Sequence, residues 1–101
     1  MSENRNALEP PPIAAEESDA VEVLRVWAAP GQPQQLCLKT TWKAPAAWGL
    51  VLVDVARHAA LAYAHEGRDQ HAVLAEIREA FDAEWSHPTD SPRDLSGSST
   101  A

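Results

Sequence analysis

The sequence predicts an α+β domain in which a β-hairpin is followed by two antiparallel α-helices, in the order ββαα. Two observations support this prediction. Residues 21–42 are rich in β-branched and aromatic side chains and are interrupted by a Pro-Gly pair, a composition typical of paired strands. Residues 46–86 are mostly strong helix formers, with apolar side chains recurring at helical spacing, which is typical of amphipathic helices.

The hairpin is predicted from two alternating segments, Val21–Ala28 and Gln35–Trp42. Pro30-Gly31 lies between them, and this pair favours a chain reversal because proline fixes φ and glycine permits positive φ. A period of two places alternate side chains on opposite faces. One face then holds Leu24, Val26, Leu36 and Leu38. The other holds Val23, Arg25, Trp27, Cys37 and Lys39.

The two helices are bounded by recognisable signals. Pro45 stands where a helix tolerates a missing N–H, Gly67 supplies a left-handed stop, Asp69 is a good N-cap and Pro88 ends the second helix. We expect the core to form from the larger apolar stripe of each helix. The first stripe consists of Trp48, Val51, Leu52, Val55, Ala59, Ala62 and Tyr63. The second consists of Val73, Leu74, Ile77, Ala80, Phe81 and Trp85.

Composition divides the chain into three segments. Residues 1–20 are acidic and proline-rich, and residues 89–101 are rich in Ser, Thr and Gly, so we expect both to be disordered tails. Residues 21–88 form the predicted single domain. Of the net charge of −7, −4 lies in residues 1–20. Because the rest is nearly neutral and has no basic stripe, nucleic-acid binding is not expected.

Other features of the sequence indicate the cellular compartment in which the protein is found. Cys37 is the one cysteine, which favours a reducing compartment over a disulfide framework. No apolar run approaches the ~20 residues of a membrane span, and the N-terminus does not resemble a signal peptide. We therefore expect a cytoplasmic protein that does not enter membranes.

Three features, namely domain size, the isolated hairpin and the apolar first helix, predict that a second copy completes the domain. The domain lies below the ~70–80 residues at which one core is comfortably stabilising, and an isolated hairpin is marginal. Leu50, Val53 and Leu61 also lie opposite the main apolar stripe of the first helix, and an all-round apolar helix favours burial on both sides. Trp27, beside Arg25, fits either an exposed interface anchor or a core-filling side chain. A homodimer could join hairpins edge to edge or pair first helices.

Candidate chemical groups cluster on the first helix. Asp54, His58 and His65 fall within about 40° of arc, and a carboxylate four residues from a histidine can orient it or share a metal. His65 is roughly 10 Å beyond His58 along the axis, too far for the same ion, so a metal site would need another ligand, such as His71, His87 or a residue from a second copy. Asp54 could equally pair with Arg57 or His58 on a solvated strip.

Several short runs resemble a known family. They are Glu22–Trp27, the Ala-Ala-Trp-Gly step at 46–49, the Asp-x-x-Arg-His pattern at 54–58, and the closing Pro-Thr-Asp at 88–90. Together they resemble a family of small uncharacterised proteobacterial proteins, a domain of unknown function. The resemblance spans about residues 20–90 and implies a bacterial, cytosolic origin. It implies no activity and no catalytic residues.

The absence of a catalytic or phosphate-binding motif favours an interaction or structural protein over an enzyme. We expect self-association, and binding of another protein is a further possibility. No cofactor is predicted. The alternative is a small metal- or ligand-binding domain that uses the Asp54/Arg57/His58 face of the first helix.

Overall fold

The computed structural model describes residues 5–89 and has the predicted ββαα order. In chain order the elements are a short helix α1 (Ile13–Glu16), strands β1 (Leu24–Trp27) and β2 (Gln35–Leu38), and helices α2 (Ala46–His65) and α3 (Gln70–Ser86). In the described part of the chain these elements form two compact units, one ending at Thr41 and the other beginning at Trp42.

The first unit contains the hairpin. β1 and β2 pair antiparallel, with Leu24 opposite Leu38 and Arg25 opposite Cys37. The Gln32 N–H donates to the Ala29 carbonyl at 3.1 Å, and Gly31 has φ +73°. Proline followed by a positive-φ glycine is the pattern of a type II turn. The register confirms that Leu24, Val26, Leu36 and Leu38 share one face.

α1 lies in the segment for which the sequence predicts a disordered tail. It is a single turn of four residues that starts after Pro12, and the N–H groups of Ala15 and Glu16 donate to the Pro12 carbonyl. Proline suits a helix start because the first N–H groups have no intrahelical partner. No residue of Ile13–Glu16 is buried, so α1 adds no core.

The second unit is the helical pair, α2 and α3. α2 ends in a Schellman motif, in which Gly67 (φ +98°) donates to the Ala64 carbonyl and Arg68 donates to the Tyr63 carbonyl. Asp69 then caps α3 by accepting a hydrogen bond from the Ala72 N–H at 2.8 Å. These two signals turn α3 back along α2 within four residues.

The core of the helical pair is small. Ala60 on α2 is 0% exposed and Val73 on α3 is 4% exposed, and they are the two buried hydrophobic residues of the described chain. Ala56 and Ala64, one turn on either side of Ala60, are partly buried. The α3-facing side of α2 is therefore lined by alanines, which allow close approach of the helices, and the expectation that the larger stripe forms the core is wrong for α2. On α3 the predicted stripe does contribute to the core through Val73, with Leu74 and Ile77 partly buried.

Candidate interaction surfaces

Large apolar side chains are mostly exposed in the described residues. On α2, Leu52, Val55 and Tyr63 from the predicted core stripe are each more than two-fifths exposed. Trp85 was also expected in the core, and that prediction is wrong, because this side chain is 75% exposed. Trp48 is partly buried and packs edge to face against Trp42, with ring centroids 5.7 Å apart.

Four exposed apolar side chains lie on one side of the helical pair, namely Leu50, Leu61, Phe81 and Trp85. From the inward-facing Ala60, Leu50 is rotated by about 80° and Leu61 by about 100° around α2. From Val73, Phe81 and Trp85 are rotated by about 80–120° in the same sense around α3. Equal rotations on two antiparallel, facing helices point to the same side, so the four residues face one side of the helical pair.

The four residues also match along the helix axes. Leu50 is fifteen residues before the end of α2, and Trp85 is fifteen residues after the start of α3. Each is therefore roughly 22 Å from the turn at 1.5 Å per residue. Phe81 lies one turn closer to it and Leu61 lies close to it. We refer to Leu50, Leu61, Phe81 and Trp85 as the apolar patch, whose exposures are 76%, 41%, 45% and 75% respectively.

The α3 side of the patch is held in a defined shape. Phe81 and Trp85 stack with ring centroids 5.6 Å apart and an interplanar angle of 19°. Glu84 accepts hydrogen bonds from both the backbone N–H and the hydroxyl of Thr89, which ties the chain after Pro88 to the helix. An open groove of about 610 Å³ results, lined by Ile77, Ala80, Phe81, Glu84, Trp85 and Pro88.

The structure places the predicted interface residues in both units. Leu50 and Leu61 belong to the apolar patch. Val53, 52% exposed, is rotated only about 20° from Ala60, toward the side of α2 that faces α3, and is not part of the patch. Trp27 is at the end of β1 and is 37% exposed. The sequence pattern assigns Phe81 and Trp85 to the core, because helical periodicity alone cannot tell whether an apolar stripe is covered by the rest of the chain.

The candidate metal residues Asp54 and His58 lie next to each other on the exposed surface of α2. His58 Nε2 lies 3.5 Å from Asp54 Oδ1, and the two side chains are 75% and 72% exposed. Within residues 5–89 no group of three or more His, Cys, Asp or Glu side chains is arranged to hold a metal ion. An exposed i,i+4 pair of this kind contributes little, typically below ~1 kcal/mol. Nothing in the geometry supports the metal-binding alternative.

The polar face of the hairpin centres on Arg25. Its guanidinium donates two hydrogen bonds to the Glu22 carboxylate, at 3.1 and 3.0 Å. These bonds and the negative charge of Glu22 raise the pKa of Arg25. Cys37, which is exposed, lies opposite Arg25 in the ladder, as the sequence predicts.

Comparison with known proteins places the chain in a family. The model of a domain of unknown function, DUF5076, matches residues 7–89, which include all five elements. The chain belongs to this family. This confirms the resemblance to a small uncharacterised family. No curated protein matches the chain.

A solved structure is similar to the chain over nearly its full length. It comes from the photosynthetic bacterium Rhodopseudomonas palustrus CGA009 and is described as that of a candidate pyruvate dehydrogenase. The two sequences are 36% identical, the TM-score is 0.72, and the match covers 95% of this chain and 98% of the other.

Among residues 5–89, no helix combines the length and apolarity that a membrane span requires.

Proposed function

We propose that this protein is a self-associating interaction protein, in which a second copy covers the apolar patch of the helical pair. The observation that carries the proposal is the placement of four large, exposed apolar side chains on one side of α2 and α3. Association would remove them from water, which is the main favourable contribution in most protein–protein contacts.

The size of the patch supports this proposal. Large side chains bury on the order of 150–250 Å² each, so the exposed fractions of the four residues amount to on the order of 500 Å² per copy. The largest apolar patch on a typical monomer is ~300–600 Å² and is often functional, so this patch is at the upper end of that range. A stable interface buries about 800 Å² per partner, of which the patch would supply more than half.

The composition of the patch is also that of an interface centre. Trp85 is among the residue types that most often dominate binding energy, and such residues usually sit in the middle of an interface. Phe81 stacks against it and limits its motion, which lowers the entropy cost of binding. Lys and Glu, which are depleted from interface cores, are not among the four patch residues.

Binding is better supported than catalysis. Within residues 5–89 the structure buries no polar or charged side chain, whereas acid–base groups of active sites are commonly tuned by burial and close charge partners. The activity described for the relative from Rhodopseudomonas palustrus therefore finds no supporting group in the described residues. Pyruvate oxidation by the purified chain in a coupled assay would instead favour that activity.

The proposal is tested by sedimentation equilibrium on the full chain. We expect a mass of two chains at micromolar concentration. Leu50→Glu combined with Trp85→Glu should weaken association by at least about 100-fold, because each removes an anchor worth about 2 kcal/mol and buries a charge. A single-chain mass for the natural protein at about 100 μM, where even weak dimers are populated, would contradict the proposal.

Val55→Glu is the matched control. Val55 is also on α2 and is 51% exposed, but it is rotated about 140° from Leu50 and lies off the patch. We expect this variant to keep the two-chain mass. Circular dichroism of all variants checks that the helices remain folded. Equal loss of association in Val55→Glu and in the double variant would mean that the patch is not the contact surface.

A further inference from the structure

The outer edge of β2 presents backbone groups with no partner in the described chain. The Lys39 N–H donates to the Val23 carbonyl at 3.0 Å, and hydrogen-bonded pairs alternate along an antiparallel ladder. The backbone of Cys37 therefore faces β1, whereas that of Leu36 and Leu38 faces away. Across residues 5–89, no hydrogen bond reaches these outward groups. Such an edge is a template for another strand.

The opposite edge of the hairpin is different. Asn6, Ala7 and Leu8 line a cavity of about 400 Å³ together with residues of β1, and no residue of β2 contributes to it. The N-terminal segment thus runs beside β1. In the part of the chain that the structure describes, β2 is the edge that is left open.

We propose that β2 pairs antiparallel with β2 of a second copy about a two-fold axis at Cys37, so that two hairpins form one four-stranded sheet. Leu36 then lies opposite the partner's Leu38. This inference rests on the proposed function and deepens it, because it names the contact between the hairpins of the dimer.

The backbone favours this register over its neighbours. With the axis at Cys37, both outward-facing residues of β2 form hydrogen-bonded pairs. Leu36 pairs with Leu38 of the partner subunit, and Leu38 pairs with Leu36 of the partner subunit. These two pairs exchange four hydrogen bonds. An axis at Leu38 would extend the pairing to Thr40, but the next residue, Thr41, has φ +64° and leaves the strand conformation. An axis at Leu36 would require Gln34, which follows Pro33, a residue without an N–H.

The side chains agree with the same register. Leu24, Val26, Leu36 and Leu38 share one face of the hairpin, so the four-stranded sheet gains an apolar face from two copies. A face of this kind on three or more strands is what an isolated hairpin lacks. On the other face Lys39 lies opposite the partner's Gln35, which keeps the two lysines apart and avoids a like-charge pair.

Cys37 reports on this arrangement directly. At the axis it forms a non-hydrogen-bonded pair with the partner's Cys37, with an expected Cα separation of about 4.5 Å. That separation falls within the roughly 4.4–6.8 Å at which a disulfide can form. Cys37 is exposed, so an added oxidant can reach it.

The first experiment treats the full chain with diamide at a concentration where sedimentation shows the dimer. Two thiols lose two protons and two electrons to diamide, which is reduced to the hydrazine, and one disulfide forms. We expect most of the chain to run as a covalent dimer on a non-reducing gel and to return to monomer with dithiothreitol. Cys37→Ser should abolish the covalent dimer.

The second experiment tests the register and excludes collisional oxidation. Gln35→Cys and Lys39→Cys are each made in the Cys37→Ser background. Each variant alone should give little covalent dimer, because residue 35 lies opposite residue 39 of the partner. The equimolar mixture should give at least about fivefold more covalent dimer than either variant, although each thiol is as exposed in its own variant as it is in the mixture. Equal cross-linking alone and mixed would overturn the proposed register.

The two proposals fail in distinguishable ways. A chain that sediments as a monomer removes the proposed function and this inference together. A chain that sediments as a dimer but forms no covalent dimer, either through Cys37 or in the mixture, removes the β2 pairing and leaves the proposed function standing.

Discussion

The helical pair and the hairpin are both specified by local signals, but they differ in what they bury. The helical pair contains Ala60 and Val73, the two buried hydrophobic residues of the described chain. In Leu24–Trp27 and Gln35–Leu38 no residue is buried. A turn and a ladder can therefore set the shape of the hairpin, while its stability depends on additional contacts. The comparison teaches that local sequence signals fix an element without providing it with a core.

The largest change in the free energy of unfolding should come from overpacking the helical core. Ala60→Leu inserts a large side chain where the residue is fully buried, and we expect it to lower the free energy of unfolding by about 1–3 kcal/mol. Urea unfolding followed by circular dichroism, at fixed protein concentration, measures this. Ala62→Leu, at an exposed position, should change it by less than about 0.5 kcal/mol. Equal effects would break the comparison, because α2 would then have no distinct inner face.

Two glycines should respond to the same substitution with opposite sign. Gly67→Ala forces a side chain into φ +98° and should cost about 1–2 kcal/mol. Gly49→Ala, inside α2 with no atom within 4 Å of the added Cβ, should gain about 0.5–1 kcal/mol from helix propensity. The same urea titration measures both. Destabilisation by Gly49→Ala would indicate that a second copy occupies the space next to it.

A smaller effect is expected from the cap that starts α3. Asp69→Ala removes the acceptor for the Ala72 N–H and should cost about 1 kcal/mol. Asp69→Asn should stay close to the natural protein, because asparagine caps equally well. Asp82→Ala, which breaks only the exposed pair with Arg78, should cost about 0.3–0.5 kcal/mol. If Asp82→Ala cost as much as Asp69→Ala, the cap would not define the start of the helix.

The smallest change in stability should come from a substitution in the hairpin. Glu22→Gln removes the charge that Arg25 pairs with, but both side chains are exposed, so we expect no measurable shift in the unfolding midpoint. The pKa of Arg25 is raised from an already high value, so the charge of Arg25 itself should add no pH dependence to stability between pH 5 and 9. A loss as large as that of Asp69→Ala would show that the hairpin depends on this ion pair more than its exposure indicates.

Much of the fold follows from the sequence because its signals are local. The helix limits at Pro45, Gly67, Asp69 and Pro88 agree with the structure to within one or two residues. The strands are shorter than predicted, because β1 covers only Leu24–Trp27 and β2 only Gln35–Leu38. α1 carries no apolar periodicity that a single turn could reveal, and the sequence gives no signal for it apart from the preceding prolines.

The packing of α2 could not be predicted in the same way. Helical periodicity weights the large side chains, and these point to the stripe that includes Leu52 and Val55. α3 instead packs on the side of Ala56, Ala60 and Ala64, because small side chains let two helices approach closely. Periodicity also cannot distinguish a stripe covered by the same chain from one covered by another. The apolar patch is therefore visible only once the inner face is known.

The apolar patch has a consequence for the protein in the cell. Chaperones and proteases continually sort proteins by the non-native or uncovered apolar surface that they expose. If two copies pair as proposed, a single copy with Trp85 uncovered should be recognised and degraded faster than a paired one. Its lifetime would then rise with its own expression level, so that the amount of protein present is set by assembly as well as by synthesis.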